Sequence, residues 1–243
     1  MVSPSDGDRL AWITGASRGI GRAVALKLAE RGISVALIAR GKSDLEQVAE
    51  SVESRGGKAL VFPVDLCNSA VVPQQLEQML SFAGPCDILV NNAGMGLTAN
   101  AIDTSVADWE RVLGLNLTAA WLCMKAVIPG MRDRGGGTIA NVISIAGKQA
   151  FPGWSAYCAS KFGLLGLTKA VAQEEREHNI RVTAFCPGAV NSSLWDTPTV
   201  QADFDRAGML SVDTVAESLA QTLLLPPEAV VEELVMMPSG GAF

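Results

Sequence analysis

The chain alternates short apolar runs with longer stretches in which apolar residues recur at helical spacing. Residues 10–13 form the first apolar run, and after a glycine-rich turn residues 20–31 are predicted as a helix. Residues 33–39 are apolar except for Ser34 and too short for a helix, which suits a strand buried on both faces. The same reasoning assigns helix to 45–54, strand to 59–62, helix to 71–82 and strand to 87–90. Two long helices follow, 109–127 and 155–177, with a strand at 137–143 between them. A strand at 180–185, a helix at 212–224 and a strand at 230–237 complete the pattern.

Six or seven strands, each separated by a helix, imply right-handed crossovers and a parallel sheet covered on both faces. The expected fold is α/β, a doubly wound (Rossmann-type) arrangement with a sheet of about seven strands. At 243 residues, length alone leaves one large or two small domains open. No linker, repeat or low-complexity segment divides the chain, so 1–243 is read as a single domain with 1–8 as a polar flexible tail. The least regular stretch, about 188–210, is rich in Ser, Thr, Asp and Pro. It follows a strand's C-terminal end, where open α/β sheets bind ligands, and is read as a substrate loop.

Composition narrows the function. An apolar fraction of 49% with 18% charged residues supplies a sizeable core, and a net charge of −6 gives no reason to expect nucleic-acid binding. Five scattered cysteines and a single histidine offer no metal-ligand spacing, so no metal site is expected. The odd cysteine count and the absence of a leader-like start suggest reduced thiols in the cytoplasm. No uninterrupted apolar run approaches the ~20 residues of a membrane helix, so no membrane partner is expected.

Thr14-Gly15-Ala16-Ser17-Arg18-Gly19-Ile20-Gly21 lies between the first strand and the first helix. A glycine-rich turn there lets the backbone approach a pyrophosphate at the helix N-terminus, although the G-x-x-x-G-x-G spacing differs from the common fingerprint. NAD-selective sites place an acid at the end of the second strand. Here that position holds Arg40, and the first acid, Asp44, falls past the turn. Arg18 and Arg40 are either solvated surface charges or a clamp for a 2′-phosphate, and the clamp implies NADP(H).

Tyr157 and Lys161 are spaced i, i+4 and share one face of the second long helix; Tyr157 is the only tyrosine. A nearby ammonium, with a cationic nicotinamide, would be expected to lower the phenol pKa. Alone the pair could be simple surface packing. However, Ser144 ends the preceding strand, Asn91-Asn92-Ala93-Gly94 follows the fourth, Pro187-Gly188 follows the sixth, and Asn116 sits inside the first long helix. The strand-terminal members converge on one edge of the sheet.

With these motifs the chain resembles the short-chain dehydrogenase/reductase family, from about residue 10 to 241. The resemblance implies that Tyr157 exchanges a proton with the substrate oxygen, Ser144 hydrogen-bonds that oxygen, Lys161 binds the nicotinamide ribose and Asn116 holds a relay water. It implies cofactor contacts from Gly15, Ser17, Arg18, Gly19, Ile20 and Gly21, then from Arg40, Asp65 (on the adenine amine) and Leu66. Asn92, Ala93 and Gly94 would line the cofactor-side turn. Pro187, Gly188 and Val190 would lie near the carboxamide, with Ser192 where the family usually has threonine. Two branches fit: reductases of small or generic carbonyls and 3-hydroxy acids, and 3-oxoacyl-carrier-protein reductases. The latter would need a basic patch, for which Arg132, Arg134, Lys169 and Arg176 are the available residues. A non-catalytic dinucleotide-binding regulator is the reading from another class. Trp121, Leu122, Met124, Leu164, Leu165 and Leu167 exceed what one sheet face needs, and the family commonly assembles through these helices, so a homotetramer, or a dimer, is expected.

Overall fold

The computed structural model describes residues 9–202 and 205–241, so the tail read at 1–8 lies outside the described residues. Seven strands form one parallel sheet: β1 (Leu10–Thr14), β2 (Ser34–Ala39), β3 (Ala59–Pro63), β4 (Ile88–Asn91), β5 (Gly137–Val142), β6 (Ile180–Pro187) and β7 (Glu233–Met236). Their order is β3-β2-β1-β4-β5-β6-β7, and every neighbouring pair runs parallel. The order reverses at β1 and β4. In such sheets the ligand crevice opens at that reversal, outside the strands' C-terminal ends.

Helices α1 (Gly19–Ala29), α2 (Lys42–Glu53) and α7 (Val212–Leu223) cover one face, while α3 (Val72–Ala83), α5 (Ala119–Asp133) and α6 (Ser155–Glu174) cover the other. Alternate residues of each strand serve the two cores. Ala11 and Ile13 pack with Val24, Leu28 and Leu219, whereas Leu10 and Trp12 pack with Leu76, Met124 and Val127. Burial on both faces is why β1, β2 and β4 read as largely apolar runs in the sequence.

Three elements differ from the sequence reading. The helix expected at 109–127 runs from Val106 to Asp133 as α4 (Val106–Leu113), a π turn at Gly114–Thr118, and α5. Its true start is set by Ser105, whose hydroxyl accepts the Asp108 N–H, and Pro129 is accommodated inside it. This 28-residue helix is long and apolar enough by composition to cross a bilayer, contrary to expectation; its buried residues Cys123, Met124, Val127 and Met131 instead pack into the sheet core. The helix expected to 177 ends at Glu174 and is followed by a 3₁₀ turn, Arg176–His178, and the last strand shrinks to Glu233–Met236.

The supposed apolar surplus is also smaller than expected. Leu122, Met124 and Leu164 are buried within the chain, and Leu165 and Leu167 pack partly against the core. Of the six, Trp121 is the exposed one, and it is joined on the surface by Trp109 and Phe162. Among the described residues no cluster of His, Cys, Asp and Glu could hold a metal ion.

Candidate active site

The C-terminal ends of β1 to β6 open onto one cleft of about 770 Å³. Gly15, Ser17, Arg18, Gly19 and Ile20 line it after β1, as do Arg40 after β2, Asp65 and Leu66 after β3, and Asn92, Ala93 and Gly94 after β4. Ser144, Tyr157 and Lys161 line it from the β5–α6 side, and Pro187, Gly188, Val190 and Ser192 from the segment after β6. Two of the expected site residues, Gly21 and Asn116, stand behind the wall and shape it.

Gly21 lies where α1 presses on the phosphate turn. A Cβ there would fall 2.4 Å from the Gly15 carbonyl oxygen and 2.5 Å from Asn92 Nδ2. Gly15 itself has φ +65°, a conformation that a side chain would disfavour. Residue Arg18 precedes α1 in an extended conformation and caps no helix N–H with its side chain, leaving the first amides of the helix open towards the cleft. That is the geometry of an anion site, and it fits a dinucleotide pyrophosphate.

Thr14, at the end of β1, organises the turn. Its hydroxyl accepts the backbone N–H groups of Asn92 and Ala93, both at 3.0 Å, while Asn92 Nδ2 donates to the carbonyls of Thr14 and Gly15. The phosphate turn and the loop after β4 are thereby tied together. The sequence reading quoted Thr14 in the motif but gave it no part in the site; its signal was the hydroxyl at a strand end otherwise wholly apolar.

At the other end of the dinucleotide groove, Arg18 and Arg40 are exposed, and neither makes an ion pair among the described residues. Asp44 lines the same groove, with its carboxylate folded over Gly41. It therefore lies closer to this end than its position past the turn suggested. Asp65 accepts the Cys67 N–H and is exposed towards the groove.

Asn116 sits in the π turn and is 1% exposed. Its amide nitrogen donates to the Met95 carbonyl and to Ser160 Oγ, both at 3.0 Å, and its oxygen accepts the Met95 N–H at 2.8 Å. The side chain fixes the 94–96 strip against α6. The polar partnership explains a buried amide in an apolar helix.

Ser144 has φ 154° and ψ 162°, a conformation rare for non-glycine residues that costs about 1–3 kcal/mol. Its hydroxyl caps the Ile145–Gly147 turn by accepting the Ala146 N–H, and it lines the cleft beside the Tyr157 phenol. Gly147 holds this turn against α6, since a Cβ there would meet the Lys161 carbonyl oxygen at 2.8 Å.

Tyr157 and Lys161 face the same side of α6 as their spacing predicts. Lys161 is 4% exposed, and its ammonium lies 5.7 Å from the tyrosine ring centroid and donates to the Val142 carbonyl at 2.9 Å. Burial lowers the Lys161 pKa to about 8. Burial pushes the phenol up to about 12, against a smaller lowering by the nearby Ser144 hydroxyl; the expected lowering calls on the cationic nicotinamide as well as Lys161. The protein's own groups keep Tyr157 protonated at neutral pH, the form that can give a proton to a carbonyl oxygen.

The stretch read as a substrate loop folds over the cleft, its residues 203–204 lying outside the described set. Val190 pairs with Leu210, Thr199 Oγ1 donates to the Gly96 carbonyl, and a 3₁₀ turn at Ser193–Asp196 sets Leu194 and Trp195 into the lining. Trp154 joins them: its ring meets Tyr157 edge-on at 5.4 Å and Trp195 at 6.0 Å.

The basic residues considered for a carrier-protein patch do not form one. Arg132 is bidentate to Glu175, Arg134 bonds the Cys86 carbonyl and Asp87, Arg176 pairs with Glu232 and Lys169 with Glu233. Arg132, Arg134 and Arg176 also precede β5 and β6, on the sheet edge opposite the cleft.

Residues 9–201 match the family described as short chain dehydrogenase. A 3-oxoacyl-acyl-carrier-protein reductase of Synechocystis sp. is 36% identical over 187 residues, 76% of each chain. A metagenomic short-chain oxidoreductase solved with NADP superposes with a TM-score of 0.83 at 32% identity, covering 95% of this chain and 97% of that one. L-Sorbose reductase from Gluconobacter frateurii, solved with NADPH and L-sorbose, superposes at 0.86 with 28% identity over 97% of each chain. The strand order, the glycine turn, and Ser144, Tyr157 and Lys161 on one cleft agree with these matches, and the chain belongs to the short-chain dehydrogenase family of oxidoreductases.

Proposed function

We propose that the chain is an NADP(H)-dependent reductase of ketones or aldehydes, reversible towards the secondary or primary alcohol, with Tyr157 as the proton-transferring group. The observation that carries it is the placement of Ser144, Tyr157 and Lys161 at one end of a cleft whose other end presents Arg18 and Arg40. The bound dinucleotide would supply the hydride. The protein's part is to hold the substrate oxygen between the Ser144 hydroxyl and the Tyr157 phenol, and to release a proton to it from the phenol. Lys161, already beside the carbonyl of Val142, would hold the nicotinamide ribose and maintain positive charge behind the phenol. Gly15 to Gly21 would receive the pyrophosphate, Asp65 and Leu66 the adenine, and Val190 and Ser192 the carboxamide.

For the 2′-phosphate, Arg18 and Arg40 are the available cations, and Asp44 opposes them. Titration of the protein with NADPH and NADH tests this directly. A tenfold or greater preference for NADPH is expected, falling about tenfold in Arg40→Ala with the loss of a charge-assisted bond, and rising in Asp44→Ala. Equal affinity for both dinucleotides would remove the clamp.

The second reading is reduction of 3-oxoacyl groups on acyl-carrier protein, and the Synechocystis relative's activity favours it. Against it stands the engagement of Arg132, Arg134, Lys169 and Arg176 in internal pairs. A purely regulatory dinucleotide binder would have no need of Ser144, Tyr157 and Lys161 together. We further propose a homotetramer, with a dimer as the alternative, assembled through the exposed Trp109, Trp121 and Phe162 of α4, α5 and α6, and a cytoplasmic location.

A further inference from the structure

Beyond Tyr157 the cleft changes character. Among the described lining residues the charged side chains are Arg18, Arg40, Asp44, Asp65 and Lys161. The first four belong to the dinucleotide end, and Lys161 is buried behind the phenol with its ammonium on the Val142 carbonyl. The remaining end is built from rings and aliphatic groups. Trp154 stands edge-on to Tyr157, Trp195 stands edge-on to Trp154, and Phe151, Met95 and Leu194 complete the wall. The Trp195 indole N–H is turned onto the Val190 carbonyl at 2.8 Å. Gly96 makes this packing feasible, because a Cβ there would meet Val200 at 2.7 Å and the Trp154 ring at 3.2 Å.

We propose that this end selects an uncharged ketone carrying an aromatic ring, which lies along the Tyr157–Trp154–Trp195 series while its carbonyl rests on Ser144 and Tyr157. The inference rests on the hydride-transfer reading above: the carbonyl carbon takes a hydride from the reduced dinucleotide, the oxygen takes the Tyr157 proton, a solvent proton restores the phenol, and the products are the secondary alcohol and the oxidised dinucleotide. An aromatic substrate gains edge-to-face contacts that a saturated ring of similar size lacks. A keto acid would lose the hydration of its carboxylate with no cation among the described lining residues of that end to replace it, which turns the reading away from 3-hydroxy acids.

The experiment compares kcat/KM for benzylacetone, its cyclohexyl counterpart and levulinate with NADPH, after NADPH binding has been measured separately. The ring in the first two is remote from the carbonyl, so their intrinsic reactivities match. The expected result is a preference of about tenfold for the phenyl over the cyclohexyl ketone and a larger one over levulinate. Trp195→Ala should erase the phenyl preference, and Trp195→Phe should restore most of it. Equal turnover of the phenyl and cyclohexyl ketones, or a phenyl preference unchanged in Trp195→Ala, would overturn the substrate class while leaving the reductase reading intact. Tight NADPH binding with none of the three ketones reduced would overturn both.

Discussion

The Lys161 ammonium lies 5.7 Å from the Tyr157 ring centroid, yet its hydrogen bond goes to the Val142 carbonyl rather than towards the phenol. Desolvation therefore dominates at Tyr157 and pushes its pKa up to about 12. Since Tyr157 is the chain's single tyrosine, the alkaline absorbance change of tyrosinate reports this one group. The folded protein should ionise well above pH 10, and the unfolded chain near ~10. With a raised folded pKa, the group's contribution to stability is complete below about pH 10 and is lost as pH rises through about 12. Native tyrosinate at or below pH 10 would contradict the desolvated site. Tyr157→Phe should reduce carbonyl turnover by about 10²–10⁴-fold while leaving NADPH affinity within a few-fold.

Lys161 gives the opposite sign. Its pKa is lowered from 10.5 to about 8, so the buried ammonium opposes folding at neutral pH; the penalty is full below about pH 8 and disappears as pH rises to the unfolded value. Lys161→Met keeps the length of the side chain and removes the charge. At about 1.4 kcal/mol per pH unit the relief is about 3 kcal/mol, and the hydrogen bond lost from Val142 takes back about 1. Denaturant melts at pH 7 should show the variant about 1–2 kcal/mol more stable and inactive as a reductase, with the stability gain gone by pH 10.5. A variant less stable than the parent at pH 7 would show that the ammonium is solvated better than its burial indicates.

These two residues also mark what the sequence could and could not tell. Their shared helix face followed from i, i+4 spacing, and the parallel sheet from continuous apolar runs separated by amphipathic ones, because both are local periodicities. Arg40 was legible because its position at the end of a strand fixes it at the cleft. The direction of the Tyr157 pKa was not, since it depends on how many atoms from other elements surround the ring. The π turn at Gly114–Thr118 is likewise a consequence of packing. No short-range pattern specifies that Trp195 stands against Trp154, forty-one positions earlier in the chain.

Thr14 tests the tie between the phosphate turn and the loop after β4. Thr14→Val preserves shape but leaves the N–H groups of Asn92 and Ala93 without the acceptor they share. Two part-buried donors left unsatisfied should cost about 2–4 kcal/mol in chemical denaturation. NADPH affinity should weaken as well, since the loop that anchors Gly15 is loosened. Thr14→Ser retains the hydroxyl and should recover most of both. Should Thr14→Val match the parent in stability and affinity, the tie would carry no weight.

Arg206 is the corresponding brace on the substrate side. Its guanidinium reaches Asn191 Oδ1 at 2.8 Å, Asp196 Oδ1 at 2.6 Å and the Ser192 carbonyl at 3.1 Å, so three points of the 191–196 segment hang on one side chain. That segment carries Leu194 and Trp195 into the cleft. Because the Asp196 pair is largely exposed, the global cost of Arg206→Ala should stay below about 1 kcal/mol. Its effect should fall on the wall: KM for the carbonyl substrate rising several-fold with less change in kcat, and faster limited proteolysis between residues 190 and 210. Arg206→Lys should not rescue either property, because a single ammonium lacks the planar fork that reaches three acceptors at once. A KM unchanged in Arg206→Ala, with the segment no more accessible to protease, would mean that the Val190–Leu210 bridge and the Thr199 bond to Gly96 hold the wall without it.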